Sequence, residues 1–144
     1  MVRVNMAEAI NLTLHQVMSN DKDIVILGQD VGINGGVFRV TEGLFNKFGS
    51  ERVIDTPLAE SGIFGTSIGL ALAGLKPIAE IQFSDFMYVG IHQLIYHMSK
   101  LRNKSRGRFI VPLVIRAPIG GGIRALEHHS ESMESIGRNF MNSS

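Results

Sequence analysis

Cysteine is absent from the 144 residues. The chain therefore has no disulfide, no thiol nucleophile and no thiolate zinc site, and it suits a reducing compartment. A long hydrophobic run is missing too. The longest apolar stretch, Ile63 to Leu75, is interrupted by three glycines, a serine and a threonine, and it falls short of the roughly 20 residues a membrane-spanning helix needs. Charge of one sign is also lacking: 14 Lys and Arg stand against 13 Asp and Glu, for a net charge of +1, which gives no bias toward nucleic acid. The one basic stretch, KLRNKSRGR (100–108), follows a helical pattern, where cations favour the carboxyl end, and reads as a solvated cap. The amino end is patterned as an amphipathic helix and not as a secretory signal. The expectation is a soluble, cytoplasmic protein without membrane or nucleic-acid partners; in a eukaryote this would be the mitochondrial matrix, although no transit peptide is seen.

Several catalytic signatures are missing as well. There is no GxxxxGK[ST] phosphate loop, and Gly62, Gly65 and Gly69 do not fit the GxGxxG dinucleotide fingerprint. Ser61 sits in AESGI, where a nucleophile elbow would need glycine at positions 59 and 63 and finds Ala59 and Ile63. His128 and His129 are adjacent, whereas metal-binding histidines on a helix sit three or four apart, so no metal site is expected.

What is present is an alternation of strand and helix patterns. Met6, Ile10, Thr13, Leu14 and Val17 share one face of a helix over 5–19. IVILG (24–28) reads as a fully buried strand, QDVGINGG as a loop, and VFRVTEGLFNKFG (37–49) as a short helix ending at Gly49. RVIDTP is a short strand stopped by Pro57, and 60–74 a buried helix whose Gly62, Gly65 and Gly69 predict close approach of another backbone. PIAEIQF (77–83) is a strand, 85–101 a long helix, and FIVPLVIRAP (109–118) a further buried strand before the loop IGGGIRALEHHSESMES. The last stretch, IGRNFMNSS (136–144), has no pattern and reads as a frayed or truncated end. The order predicts an α/β fold with a parallel sheet flanked by helices, whose ligands would bind in the loops beyond the carboxyl ends of the strands. Three such loops stand out: DVGINGG, DTPLAESG and APIGGGIRALEHHS.

Glu60 opens the buried helix beside Leu58, Ile63 and Phe64. The helix dipole would stabilise its charge, while apolar surroundings would favour the protonated acid; composition does not decide between them. The histidines are either a surface pair or a source of a general acid or base. Strand alternation puts Glu80 and Gln82 on one face, consistent with a polar site at that edge.

The strings GGVFR, TPLAESGI, AEIQFSDF and HHSES, ordered over about residues 3–135, resemble the beta subunit of the thiamine-dependent 2-oxo acid dehydrogenase component of pyruvate and branched-chain complexes. The resemblance implies that residues 1–144 are its pyrimidine-binding domain, incomplete at the carboxyl end and lacking the carboxyl-terminal domain. Thiamine diphosphate would be shared with an alpha subunit in a heterotetramer. The family's glutamate falls on Glu60, where it hydrogen-bonds the aminopyrimidine ring nitrogen and favours the imino tautomer that removes the thiazolium proton. Leu58, Gln82 and Phe86 fall on cofactor-contacting positions, Phe86 as an aromatic face. His129, not His128, falls on the histidine expected to assist at the substrate or in acyl transfer.

The same resemblance implies magnesium held through the alpha subunit, since no GDG motif occurs here, and potassium near the strand holding Leu113. It implies a 2-oxo acid substrate and a lipoyl acyltransferase core bound through the missing domain. The chain alone would be inactive. Two alternatives remain at this point: a split transketolase or acetoin-cleaving subunit, and a non-catalytic assembly module.

Overall fold

The computed structural model describes residues 3–125 and 127–135. Helix α1 (Met6–Asn20) begins with a reciprocal cap: the Asn5 side chain accepts from the Glu8 amide at 2.9 Å, and the Glu8 carboxylate accepts from the Asn5 amide at 2.9 Å. This capping box satisfies two of the donors a helix start leaves open. The strands β1 (Ile24–Gly28), β2 (Val53–Asp55), β3 (Lys76–Glu80) and β4 (Val114–Arg116) form one parallel sheet in the order β2-β1-β3-β4.

Strand alternation divides the core between the two faces of the sheet. On one face, α1 and the short α2 (Leu44–Phe48) cover Ile26 and Val53 with Leu14, Met18 and Leu44. On the other, α3 (Glu60–Leu72), α4 (Met87–His92) and the π-helical segment after it (Gln93–Met98) cover Leu27 and Ala79 with Ile63, Phe64 and Leu94. The expected α1 face is only partly covered. Met6, Ile10, Thr13, Leu14 and Val17 line a groove of about 820 Å³ whose far wall is Pro77, Ile78 and residues 111–114.

Several expected elements are shorter than their sequence patterns. The helix over 37–49 is reduced to α2, because Arg39 and Gly43 take positive φ (59° and 78°), which a right-handed helix does not accommodate. The strand over 109–118 is reduced to β4, an edge strand whose Val114 is 58% exposed. The helix over 85–101 is a composite: a 3₁₀ turn (Ser84–Phe86), α4, a π-helical segment (Gln93–Met98) and α5 (Ser99–Lys104). Residues 136–144, expected to fray, lie outside the described residues. Among the described residues no helix is long and apolar enough to cross a membrane.

The close backbone approach expected at Gly62, Gly65 and Gly69 is not made among the described residues. Gly69 has nothing within 4 Å of a Cβ position, Gly62 meets only the Ala59 methyl at 3.6 Å, and Gly65 meets the Gln93 side chain at 3.8 Å. The tight contact is instead at Gly90, where α4 crosses the start of α3. A Cβ there would enter the ring of the fully buried Phe64 and lie 3.3 Å from the Glu60 carbonyl oxygen. Gly90→Ala is therefore expected to lower stability by about 1–3 kcal/mol through overpacking, measured by urea unfolding; an unchanged midpoint would show that α3 and α4 can separate freely.

Candidate functional site

The last residues of the four strands form one row across the sheet. Gly28 stands opposite Asp55 on β2 and Glu80 on β3, and Glu80 opposite Arg116 on β4. The chain leaves every strand at this level, so the three sequence-predicted loops open on the same end of the sheet. Gly28 permits the close packing: a Cβ there would collide with the Glu80 carbonyl oxygen.

Glu60 is the first residue of α3 and is 6% exposed. Ala59, at the cap position, offers no side-chain acceptor to the helix start. Packing against α4 fixes the turn, with Ser61 Oγ donating to the Val89 carbonyl at 2.6 Å. Among the described residues the Glu60 carboxyl makes no side-chain hydrogen bond. Leu58, two residues earlier, is 68% exposed.

Gln82 lies beyond the end of β3 rather than within the expected strand. Its Nε2 donates to Asp30 Oδ2 at 3.0 Å, which ties the loop after β1 to the chain after β3. Glu80 takes a different role from the shared polar site expected of it. It is buried and held by Arg116, whose Nε donates to Oε2 at 2.6 Å and whose Nη2 donates to Oε1. Burial raises the Glu80 carboxyl above its ordinary value of 4.5, and the Arg116 hydrogen bond and charge offset this only in part.

Phe86 and His129 come together through a residue the sequence patterns did not single out. Phe83 contacts the His129 ring edge-to-face, with centroids 4.4 Å apart, and Phe86 at 5.5 Å; Phe86 reaches His129 at 5.3 Å. Phe38, from the loop after β1, closes on Phe83 at 5.8 Å. Ser84 Oγ donates to the Glu131 carbonyl at 2.7 Å and holds the histidine loop against the 3₁₀ turn. His129 Nδ1 lies 3.0 Å from the Glu127 carbonyl oxygen. A carbonyl only accepts, so Nδ1 carries the proton and the neutral ring keeps its lone pair at Nε2. His128 is exposed, with φ of 65°, and takes no part.

Asp85, also missed, is 5% exposed, and neither carboxyl oxygen has a partner among the described residues. Among those residues no group of three His, Asp or Glu side chains is arranged to hold a metal ion. Leu113 precedes β4 and is not part of it.

Residues 2–143 match the family described as transketolase, pyrimidine binding domain. The chain is 55% identical over 136 residues to the pyruvate dehydrogenase E1 component subunit beta of Acholeplasma laidlawii, covering 94% of this chain and 42% of that protein. It is 48% identical over 132 residues to the 3-methyl-2-oxobutanoate dehydrogenase subunit beta of Mycobacterium tuberculosis, covering 92% and 38%. To the 2-oxoisovalerate dehydrogenase subunit beta of Bacillus subtilis it is 48% identical over 129 residues, covering 90% and 39%. The chain thus spans about two fifths of the length of these curated relatives. A solved structure titled "Split gene transketolase, inactive beta4 tetramer" superimposes with a TM-score of 0.59 at 20% identity, over 78% of this chain and 33% of that one, a likeness of fold.

The buried Glu80 sets a pH dependence. Its folded value is raised, so its contribution to stability is fully present below 4.5 and is lost as pH rises through the folded value. Glu80→Gln cannot titrate at this position. The stability difference between wild type and Glu80→Gln, measured by denaturant unfolding from acid to neutral pH, is expected to shift against wild type as pH rises. A flat or opposite trend would show that Arg116 outweighs desolvation.

Proposed function

The chain belongs to the transketolase pyrimidine-binding domain family, and from that premise we propose that it is the coenzyme-binding part of the beta subunit of a 2-oxo acid dehydrogenase component. The whole protein would oxidatively decarboxylate pyruvate or branched-chain 2-oxo acids and pass the acyl group to lipoyllysine, working with an alpha subunit in a heterotetramer. The observation that carries this reading is Glu60: a residue 6% exposed, whose carboxyl has no hydrogen-bond partner among the described residues, at the end of the sheet where ligands of parallel α/β folds bind.

The residues present fit the aminopyrimidine end of thiamine diphosphate. Glu60 offers a carboxyl that can share a proton with a ring nitrogen, half-buried Phe86 offers a flat apolar face, and Gln82 offers an amide. When bound, the coenzyme supplies the nucleophilic carbon and the electron sink for decarboxylation. Glu60 would hold the proton at the ring nitrogen, and low solvent access would keep that proton from exchanging with water. His129, with Nε2 unprotonated in the neutral ring, would act as acid or base at the substrate or in acyl transfer.

The rim of the site supports a second chain. Ile33, Leu58, Val89 and Ile119, from the loops after β1, β2 and β4 and from α4, are 82%, 68%, 65% and 55% exposed. Apolar side chains left exposed on the loops at this end of the sheet suit a partner that covers them. In this reading Leu58 touches the coenzyme when the alpha subunit closes the site, and magnesium enters with that subunit. Potassium would sit on backbone carbonyls near Leu113, the acyltransferase core would meet a carboxyl-terminal domain, and the assembly would work in the cytoplasm.

The test uses full-length beta subunit assembled with its alpha subunit, magnesium and thiamine diphosphate. Glu60→Gln is expected to reduce 2-oxo acid decarboxylation at least about a hundredfold, the scale of an essential proton-transfer group, with assembly intact by gel filtration. A near-normal rate in the assembled variant would refute the role of Glu60.

A further inference from the structure

We propose that Asp30 is a positioning residue that fixes which face of the Gln82 amide is offered to the coenzyme, so that the site selects an amino substituent over an oxygen one. This rests on the reading of the site given above.

Asp30 uses both carboxylate oxygens on side-chain amides: Oδ1 accepts from Asn34 Nδ2 at 2.9 Å and Oδ2 from Gln82 Nε2 at 3.0 Å. A carboxylate has lone pairs and no proton to give, so only an NH₂ group can face it. The orientation of Gln82, which an isolated glutamine amide would leave free, is therefore dictated by its neighbour. With the NH₂ group engaged, the carbonyl Oε1 is the group left over, and among the described residues no donor engages it. Gln82 thus presents an acceptor. The exocyclic amine of an aminopyrimidine has N–H to donate, whereas an oxygen in its place in the ring-keto form does not.

The Asp30 side chain is itself held in place. Its backbone adopts φ of 60°, its carbonyl oxygen accepts from the Gly36 amide at 2.8 Å, and the same loop is anchored to β2 by the Gly32 amide, which donates to Asp55 Oδ1 at 2.7 Å. Asparagine tolerates positive φ as aspartate does, so Asp30→Asn preserves shape and backbone. It does remove the dictate, because an asparagine amide can turn its own NH₂ toward Gln82 and reverse the Gln82 amide.

The experiment uses the assembled heteromer with full-length beta subunit, and two probes: thiamine diphosphate, and its analogue in which oxygen replaces the pyrimidine amino group. Wild type is expected to bind thiamine diphosphate more tightly by calorimetry; if it binds neither probe, the coenzyme reading and this inference fall together. Asp30→Asn is expected to reduce the preference between the probes about three- to tenfold, the scale of one hydrogen bond, with an unchanged melting temperature without coenzyme. An unchanged preference in Asp30→Asn would overturn the role of Asp30 while leaving the coenzyme reading in place. Because Asp30 acts through Gln82, Asp30→Asn in a Gln82→Ala background is expected to change nothing further, and an additive loss would also overturn the proposal. Independently of any probe, the Gln82 side-chain NH₂ resonances should shift in Asp30→Asn in the coenzyme-free protein.

Discussion

The candidate site depends on the row Asp55, Gly28, Glu80, Arg116, the last rung of the parallel sheet. Because Gly28 has no side chain, β1 can run hard against the Glu80 carbonyl, and three loops leave the sheet at a common level. Everything functional is then a matter of short reach. The Thr56 amide donates back to the Gly28 carbonyl at 3.0 Å, Gly32 meets Asp55, and Asp30 meets Gln82. The contact between α3 and α4 at Gly90 sets the remaining coordinate, the position of Glu60. Sheet register decides which residues can meet, and the loops decide which of them do.

Three acids at this end of the sheet are buried, and their surroundings differ. Glu80 is closed off by two hydrogen bonds from Arg116 and so belongs to the scaffold. Glu60 makes no side-chain hydrogen bond among the described residues, and both carboxyl oxygens of Asp85 are buried without a partner among them. Leaving a buried polar group unsatisfied costs on the order of 1–3 kcal/mol, and natural folds bear such costs chiefly where function requires them. The apolar rim at Ile33 and Leu58 belongs to the same pattern, surface left bare beside an acid left open. By contrast, the groove between α1 and β4 is almost wholly apolar and carries no such acid.

Local signals made much of this legible in the sequence. IVILG is β1 residue for residue, the apolar face read over 5–19 corresponds to α1, and the alternation of patterns implied a parallel sheet. The resemblance placed Glu60, Gln82, Phe86 and His129 in one site, and the fold brings Phe86 and His129 into ring contact. What local pattern could not supply was pairing across the sheet. Glu80 and Gln82 alternate as strand residues on one face, yet one is taken by Arg116, 36 residues on, and the other by Asp30, 52 residues back. Asp30 sat in a loop read as a candidate ligand loop without any one residue singled out, and Phe83 resembled any strand hydrophobe. Arg39 gave no warning either, since nothing in its side chain announces a positive φ that ends a helix pattern.

The long helix after the site carries a further consequence in its π-helical segment, Gln93–Met98. Leu94 and Ser99, five positions apart, are both buried. At about 100° per residue, an unbroken α-helix would turn them to different sides, whereas i→i+5 bonding stacks them. Spacing therefore matters more in this stretch than identity. Loss of a single residue between Leu94 and Ser99 would leave them four apart, which at ordinary α-helical pitch is again one face, whereas one added residue would turn one of the two out into water.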